Sequence, residues 1–280
     1  MCIVFLWKQE RKELLCNFKF ILAANRDEYF NRPAKPANFW PGEPNIIGGQ
    51  DQTKGFEGGA WLAMTKFGKL GCLTNIRTDD LHADVESQKR SRGTLVSNYV
   101  KSSIDAASYL KLLTEEKDLY RPFNILAGNV LGDLLYLNNV DDQLAVPLKK
   151  GFSGMTNSVL NCEWLKLKHG MQNFKDAIQK STSRETLIEN LLTSLCDKKR
   201  FFPDPAITVK NSKNESLSSV FIPEVEFPQS GIYGTRTNTI ILVDHLNKVT
   251  FFERTLADAE QSSTQWLRNC YDFIIDAPIV

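Results

Sequence analysis

Cys2-Ile3-Val4-Phe5-Leu6-Trp7 and, beyond a charged connector, Phe18-Lys19-Phe20-Ile21-Leu22-Ala23-Ala24-Asn25-Arg26-Asp27-Glu28 decide the fold of this chain. Both runs are apolar and rich in β-branched and aromatic residues, which suits a pleated surface buried on at least one side. Their spacing predicts an antiparallel hairpin, so the end of the second strand returns beside the start of the first. Cys2 then meets Asn25, Arg26, Asp27 and Glu28, which between them can serve acid–base, ion-pair and hydrogen-bond chemistry.

The same patterning continues along the chain. Trp61–Met64 and Lys69–Thr74 read as a hairpin around Gly68, and Phe123–Ala127 and Leu134–Leu137 as another. Asn31 to Gly59 carries Pro33, Pro36, Pro41, Pro44 and two Gly-Gly pairs, and reads as a long functional loop. Gly93–Ser102 and a segment capped by Ser103 or Asp105 show helical spacing, as do Cys162–Lys180 and Ser183–Cys196. Thr237–Val243, Val249–Glu253 and Tyr271–Ile275 read as strands, and the polar stretch Lys210–Ser219 as a mobile loop. Helices grouped between hairpin-linked strands point to an α+β class, with mostly antiparallel sheets and helices on the outer faces, and against α/β alternation.

The 280 residues, 42% of them hydrophobic, are enough for one large domain, read as 1–280. A net charge of +1 gives no electrostatic reason to expect nucleic acid as a partner. No apolar run reaches the ~18 residues of a membrane span. The six cysteines show no Cys-x-x-Cys pair, the pattern of free thiols in a reducing compartment, so the cytosol is the default location. His82, His169 and His245 show no ligand spacing, and no metal site is expected.

Cys2 stands directly behind Met1. Aminopeptidases remove an initiator methionine ahead of a small residue. Removal would leave one residue with both a thiol and a free α-amine, and the amine can act as general base for its own side chain. Cys2 equally fits as a small apolar residue at a strand start. Asn75 ends a predicted strand and Asn157 follows another; each can donate to an oxyanion or simply cap a turn. Arg236, in Tyr233-Gly234-Thr235-Arg236-Thr237-Asn238-Thr239, can bind a carboxylate, hold the Cys2 thiol below its ordinary range, or form a surface ion pair.

Met1-Cys2-Ile3, Leu22-Ala23-Ala24-Asn25-Arg26-Asp27-Glu28, Glu57-Gly58-Gly59-Ala60-Trp61-Leu62, Leu73-Thr74-Asn75 and Tyr233 to Val243 together resemble the NRDE family, also called the transport-and-Golgi-organisation family. The resemblance spans nearly the whole chain. It implies a four-layer αββα sandwich like the N-terminal nucleophile hydrolases, related to choloylglycine hydrolase and penicillin V acylase. It also implies a role in haem mobilisation, as a haem-chaperone-like trafficking factor, with ties to secretory organisation and lipid metabolism. Haem would be cargo, and no cofactor is required.

Carried over from the acylases, the catalytic set is Cys2 as nucleophile, Asp27 orienting the amine, Asn157 in the oxyanion hole, and Arg236. Asn25, Arg26, Glu28, Asn75 and Arg236 are the ligand-binding candidates. The acylase arginine that supports the thiolate falls on Ala24, so the pattern is partly kept. Arg26 is no automatic replacement, because on a strand it points away from the face of Asp27. Three functions follow: haem mobilisation with Cys2 or His82 as iron donor, a Cys2-dependent amidohydrolase or acyl thioesterase, and a non-catalytic scaffold. The resemblance allows mitochondrial or Golgi-associated pools and transient contact with organelle membranes.

Overall fold

The computed structural model describes residues 2–9, 17–77, 89–207, 215–257 and 265–276. In chain order the strands are β1 (Cys2–Lys8), β2 (Phe18–Tyr29), β3 (Ala34–Trp40), β4 (Glu43–Asp51), β5 (Leu62–Thr65) and β6 (Lys69–Asn75). Helices α1 (Gly93–Lys101) and α2 (Ala106–Glu116) follow, then β7 (Phe123–Asn129), β8 (Leu134–Asn138), β9 (Val146–Pro147) and β10 (Gly151–Met155). Helices α3 (Leu165–Lys180) and α4 (Arg184–Leu195) lead to β11 (Val225–Phe227), β12 (Gly231–Asp244), β13 (Lys248–Leu256) and β14 (Trp266–Ile274). The fold is α+β, with two antiparallel sheets and four helices among the described residues.

The chain divides into two compact units, Met1–Asn31 with Lys149–Asp272, and Arg32–Leu148 with Phe273–Val280. The first holds a sheet in the order β10-β1-β2-β12-β13-β14, with β11 on β12. Alternation sends Ile3, Phe5 and Trp7 to one face, beside Ile21, Ala23, Ile240, Leu242 and Phe252. That face packs on Leu167, Phe174 and Ile178 of α3 and on Leu187, Leu191, Leu192 and Leu195 of α4. Ser183 starts α4 with a capping box shared with Thr186. Gly170 lets α3 come close to β1: a Cβ there would meet Phe5 Cζ at 2.3 Å.

The second unit holds the sheet β3-β4-β5-β6-β7-β8-β9. Leu73, Phe123, Ile125, Ala127 and Leu137 face α1 and α2 through Leu95, Val96, Tyr99, Leu110 and Leu113. Asp105 caps α2 by accepting the Ser108 N–H at 2.8 Å.

Five expectations change. The stretch from Asn31 to Gly59 is not one long loop, since it contains β3 and β4. Proline is tolerated there because β3 is an edge strand and its register shifts between Lys35 and Asn38, bracketing Pro36. Helix α3 starts at Leu165 instead of Cys162, with its first N–H accepted by Asp204 at 2.7 Å. Strand β14 begins at Trp266, before the expected Tyr271, and β10 adds a strand beside β1. Ser218 and Ser219, in the described part of the stretch expected to be mobile, are buried behind a 3-10 turn at Glu215–Leu217. Cys16, His82 and residues 210–214 lie outside the described residues.

Gly170→Ala sets two effects against each other. Alanine adds about 1 kcal/mol of helix propensity. The new methyl overlaps a ring that is 1% exposed and stacked on Phe174, and overpacking of that kind costs about 1–3 kcal/mol. The expected net result is a loss of about 1 kcal/mol in urea unfolding; a variant more stable than the wild type would contradict this packing.

Candidate functional site

The site is built from strand ends. In β1–β2 pairing Cys2 lies opposite Arg26 and Ile3 opposite Asn25. Directly opposed residues share a face, so Cys2, Arg26 and, by alternation, Ala24 and Glu28 lie on one side of the sheet. Asn25 lies on the helix side with Ile3, and Asp27 follows it by alternation. Strand β12 closes the other flank: Thr235 faces Asp27, Thr237 faces Arg26 and Asn238 faces Asn25. The register shifts between Thr235 and Thr237, which makes Arg236 the extra residue of a bulge. On the far side of β1, β10 pairs Met155 with Val4, which carries Thr156 and Asn157 alongside Cys2.

Cys2, Asp27, Arg26, Asn157 and Arg236 therefore collect at one end of four neighbouring strands, β10-β1-β2-β12. The Thr156 hydroxyl donates to the Cys2 carbonyl at 3.2 Å. The Asp27 main-chain N–H donates to the Cys2 sulfur. Asp27, 4% exposed, accepts from the Thr235 hydroxyl at 2.5 Å, and its carbonyl accepts from Tyr233 at 3.0 Å. Arg236 Nη1 donates to the Tyr29 and Phe30 carbonyls at 2.9 and 3.1 Å, which fixes the chain as it leaves β2. Arg26 Nη2 lies 3.8 Å from Glu28 on the same face.

Two of the ligand-binding candidates, Asn25 and Asn75, do not add to this set. Asn25 donates to the Leu195 and Val220 carbonyls at 2.8 and 3.0 Å and accepts from Asn238 at 2.7 Å, so its amide ties sheet to helix. Asn75 ends β6 in the second unit, opposite Phe123. Sequence reasoning missed Thr235, Thr156 and Lys166. Lys166 is 3% exposed on α3, donates to the Leu217 carbonyl at 3.2 Å and acts electrostatically on Asp27. A lysine in a helix reads as a solvated side chain, and only the fold shows it buried. Among the described residues no group of three or more His, Cys, Asp or Glu side chains could hold a metal ion.

Burial pushes the Cys2 thiol above its ordinary value, and the Asp27 charge pushes the same way; Arg26 pulls against them. The expectation of a thiol below that value is reversed for this form of the chain. Burial likewise raises Asp27, while the Thr235 hydrogen bond and Lys166 pull it down. Both groups thus lean towards their neutral forms.

The family profile described as "Transport and Golgi organisation 2" matches residues 1–258. The mouse (Mus musculus) "Transport and Golgi organization 2 homolog" is 37% identical over 99% of this chain and 100% of its own length. The human (Homo sapiens) homolog has the same identity and coverage. The Drosophila melanogaster "Transport and Golgi organization protein 2" is 31% identical over 91% of this chain and 92% of its own. Among solved structures, penicillin V acylase from Agrobacterium tumefaciens aligns with a TM-score of 0.46 and 13% identity, over 95% of this chain and 90% of the acylase. The Caenorhabditis elegans ortholog of N-acylethanolamine-hydrolyzing acid amidase gives 0.47 and 12%, over 86% and 92%.

A raised Asp27 binds its proton more tightly folded than unfolded, so it contributes a stability that falls as pH rises through its folded pKa. Asp27→Asn removes that dependence and keeps an acceptor for Thr235. In urea unfolding from about pH 4 upwards, the variant is expected to gain steadily on the wild type. Parallel curves, or a wild type that gains, would show that Asp27 is not held towards its neutral form.

Proposed function

The chain belongs to the transport and Golgi organisation 2 family, and we propose that its working centre is the Cys2 strand end, acting by acyl transfer on an acylated small molecule. The observation that carries this reading is the register that sets Cys2 opposite Arg26, with Asp27, Asn157 and Arg236 on the adjoining strand ends. On this reading Met1 is removed, and the new α-amine lies towards Asp27, which follows Arg26 as β2 runs past Cys2. The amine takes the thiol proton and the sulfur attacks the acyl carbonyl. The Asn157 amide donates to the developing oxyanion, and the leaving group departs with the proton. Water then attacks the acyl-enzyme thioester, releasing the acid and restoring the thiol.

Ala24 removes the acylase arginine, but Arg26 lies two residues along on the same face and directly opposite Cys2. It supplies a positive charge on the sulfur's side of the sheet. Substrate chemistry at this centre would serve the transport and Golgi role in the relatives' names. The reading puts the protein in the cytosol, with transient association at Golgi or mitochondrial membranes. Among the described residues no helix is long and apolar enough to cross a membrane.

A second reading is haem mobilisation, with haem as cargo. The two guanidinium groups of Arg26 and Arg236, 6% and 4% exposed at the same strand ends, favour it, since guanidinium pairs well with propionate carboxylates. A thiol held towards its protonated form is a poor iron donor. Propionate contacts would then dominate, and Arg236→Ala would weaken haem binding more than Cys2→Ala. A haem titration with no saturable shift in absorption would end this reading.

For the acyl-transfer reading, intact mass should show loss of Met1 in active protein. Cys2→Ala should cut turnover of acyl thioesters or acyl amides by about a thousandfold or more and leave ligand binding in place. Turnover that survives in Cys2→Ala, or in a chain that keeps Met1, would overturn it.

A further inference from the structure

Strand β14 ends the order of the first sheet, so among the described residues no strand pairs with its outer edge. Such an edge presents a row of main-chain N–H and C=O groups to any chain that can lie beside it. Three other strands that end a sheet are short or irregular. β9 has two residues, one of them Pro147, and β10 has five, including Gly151 and Gly154. β3 carries Pro36 within a break in its register. β14 has none of these devices: its nine residues, Trp266–Ile274, include no proline, glycine or lysine. Every side chain along it is exposed or half-buried, and Leu267 and Ile274 are 40% and 63% exposed.

The order of residues along β14 is its own complement. A second copy laid antiparallel, with the two-fold axis at Cys270, sets Arg268 opposite Asp272 on both sides of the axis. Asn269 falls opposite Tyr271, Leu267 opposite Phe273 and Trp266 opposite Ile274. Directly opposed residues share a face, so opposite charges meet near the axis and apolar pairs close both ends. The charges are reachable, since the Arg268 and Asp272 side chains are 54% and 37% exposed. They also bring partners from their own chain. Arg268 pairs with Glu189 at 2.9 Å, and Asp272 with Arg184 at 2.8 Å and Lys248 at 3.3 Å. Arg184 in turn holds Glu185 at 2.9 Å. Contact between Arg268 of one copy and Asp272 of the other joins these groups into a row in which cations and anions balance. Moving the axis to residue 268 or 272 would oppose two arginines or two aspartates, so the charges also fix the register.

We propose that β14 is a self-association edge, at which two copies of this chain pair their β14 strands antiparallel about a two-fold axis at Cys270. The first sheet then runs on from one copy into the other. The same patch serves both copies, so the contact closes at a dimer and does not grow into a fibre. The Arg268–Asp272 pairs set the register, and the main-chain ladder supplies the hydrogen bonds. The inference is independent of the chemistry at Cys2.

Sedimentation velocity of the full chain over about 1–200 µM should show a monomer giving way to a dimer, as expected for a contact as small as one strand pair. Arg268→Glu and Asp272→Arg each oppose like charges across the axis, and each alone should weaken the dimer about tenfold or more. An equimolar mixture of the two variants should recover it, because the two substitutions then face each other with opposite charge. Damage to the fold would not be repaired by mixing. Oxidation of the wild type with copper phenanthroline should join Cys270 to Cys270, mapped by peptide mass. Opposed residues on antiparallel strands have Cα atoms about 4.5–5.5 Å apart, within disulfide reach. Four results would each overturn the proposal: a wild type that stays monomeric over that range, a dimer that Arg268→Glu leaves unchanged, a mixture no more dimeric than its components, or crosslinks that avoid Cys270. The concentration series and the crosslink map on the wild type decide the matter even where a variant fails to fold.

Discussion

The amide pair of Asn25 and Asn238 is the interaction on which the rest of this structure depends. Asn238 donates to Asn25 across β12 and β2, and Asn25 passes two hydrogen bonds on to the Leu195 and Val220 carbonyls. Leu195 is the last residue of α4, where helical carbonyls lack intrahelical partners. One buried side chain therefore fixes the register of two strands and fastens a helix end to them. A slip of one residue would exchange the faces of every side chain on β2. Arg26 would then turn away from Cys2, and Ala23 would leave the helix-facing core.

That register also explains how three adjacent polar residues, Asn25, Arg26 and Asp27, are buried beside a half-buried Glu28. β2 continues to Tyr29, so Asn25 and Asp27 turn to the helix side, and Arg26 and Glu28 turn to the side of Cys2. Each finds partners suited to its side: carbonyls for the Asn25 amide, the Thr235 hydroxyl for Asp27, and an ion pair between Arg26 and Glu28. A buried carboxylate without such donors would be far more costly. The bulge at Arg236 belongs to the same solution. It lets β12 stay in register with Asn25 through Asn238 while Thr235 still meets Asp27.

The strands that alternate or run apolar were legible, as were the four helices, because periodicity reports burial directly. Strands β3 and β4 were not, because Pro36, Pro44 and Gly48-Gly49 carry loop signals; Pro36 is accommodated by an edge strand whose register shifts around it, and the others sit in β4 between β3 and β5. Hairpin logic set Asn25 to Glu28 beside Cys2, whereas Asn157 and Arg236 joined that set only through the resemblance to the acylases. The division of labour within the motif followed from neither. Whether an asparagine spends its amide on helix carbonyls depends on residues 170 or more positions away. The direction of the thiol and carboxyl shifts depends on how deep the strand end is buried, which one sequence does not reveal.

Those shifts bear on how a Cys2 centre would switch on. With both Cys2 and Asp27 leaning neutral, neither the thiol nor the carboxyl adds charge to a strand end that already holds the guanidinium groups of Arg26 and Arg236. On the acyl-transfer reading, removing Met1 puts an α-amine, with an ordinary value of about 7.7–8.0, beside two groups that are reluctant to ionise. Its charged form would stabilise the Asp27 carboxylate, and the ionised Asp27 would in turn hold the ammonium and orient its lone pair after deprotonation. The proton that the thiol must lose then has a receiver built into the same residue. Burial that silences the thiol in the longer chain would strengthen these interactions in the shorter one, because the low-dielectric strand end that penalises an isolated charge also magnifies the attraction between opposed charges.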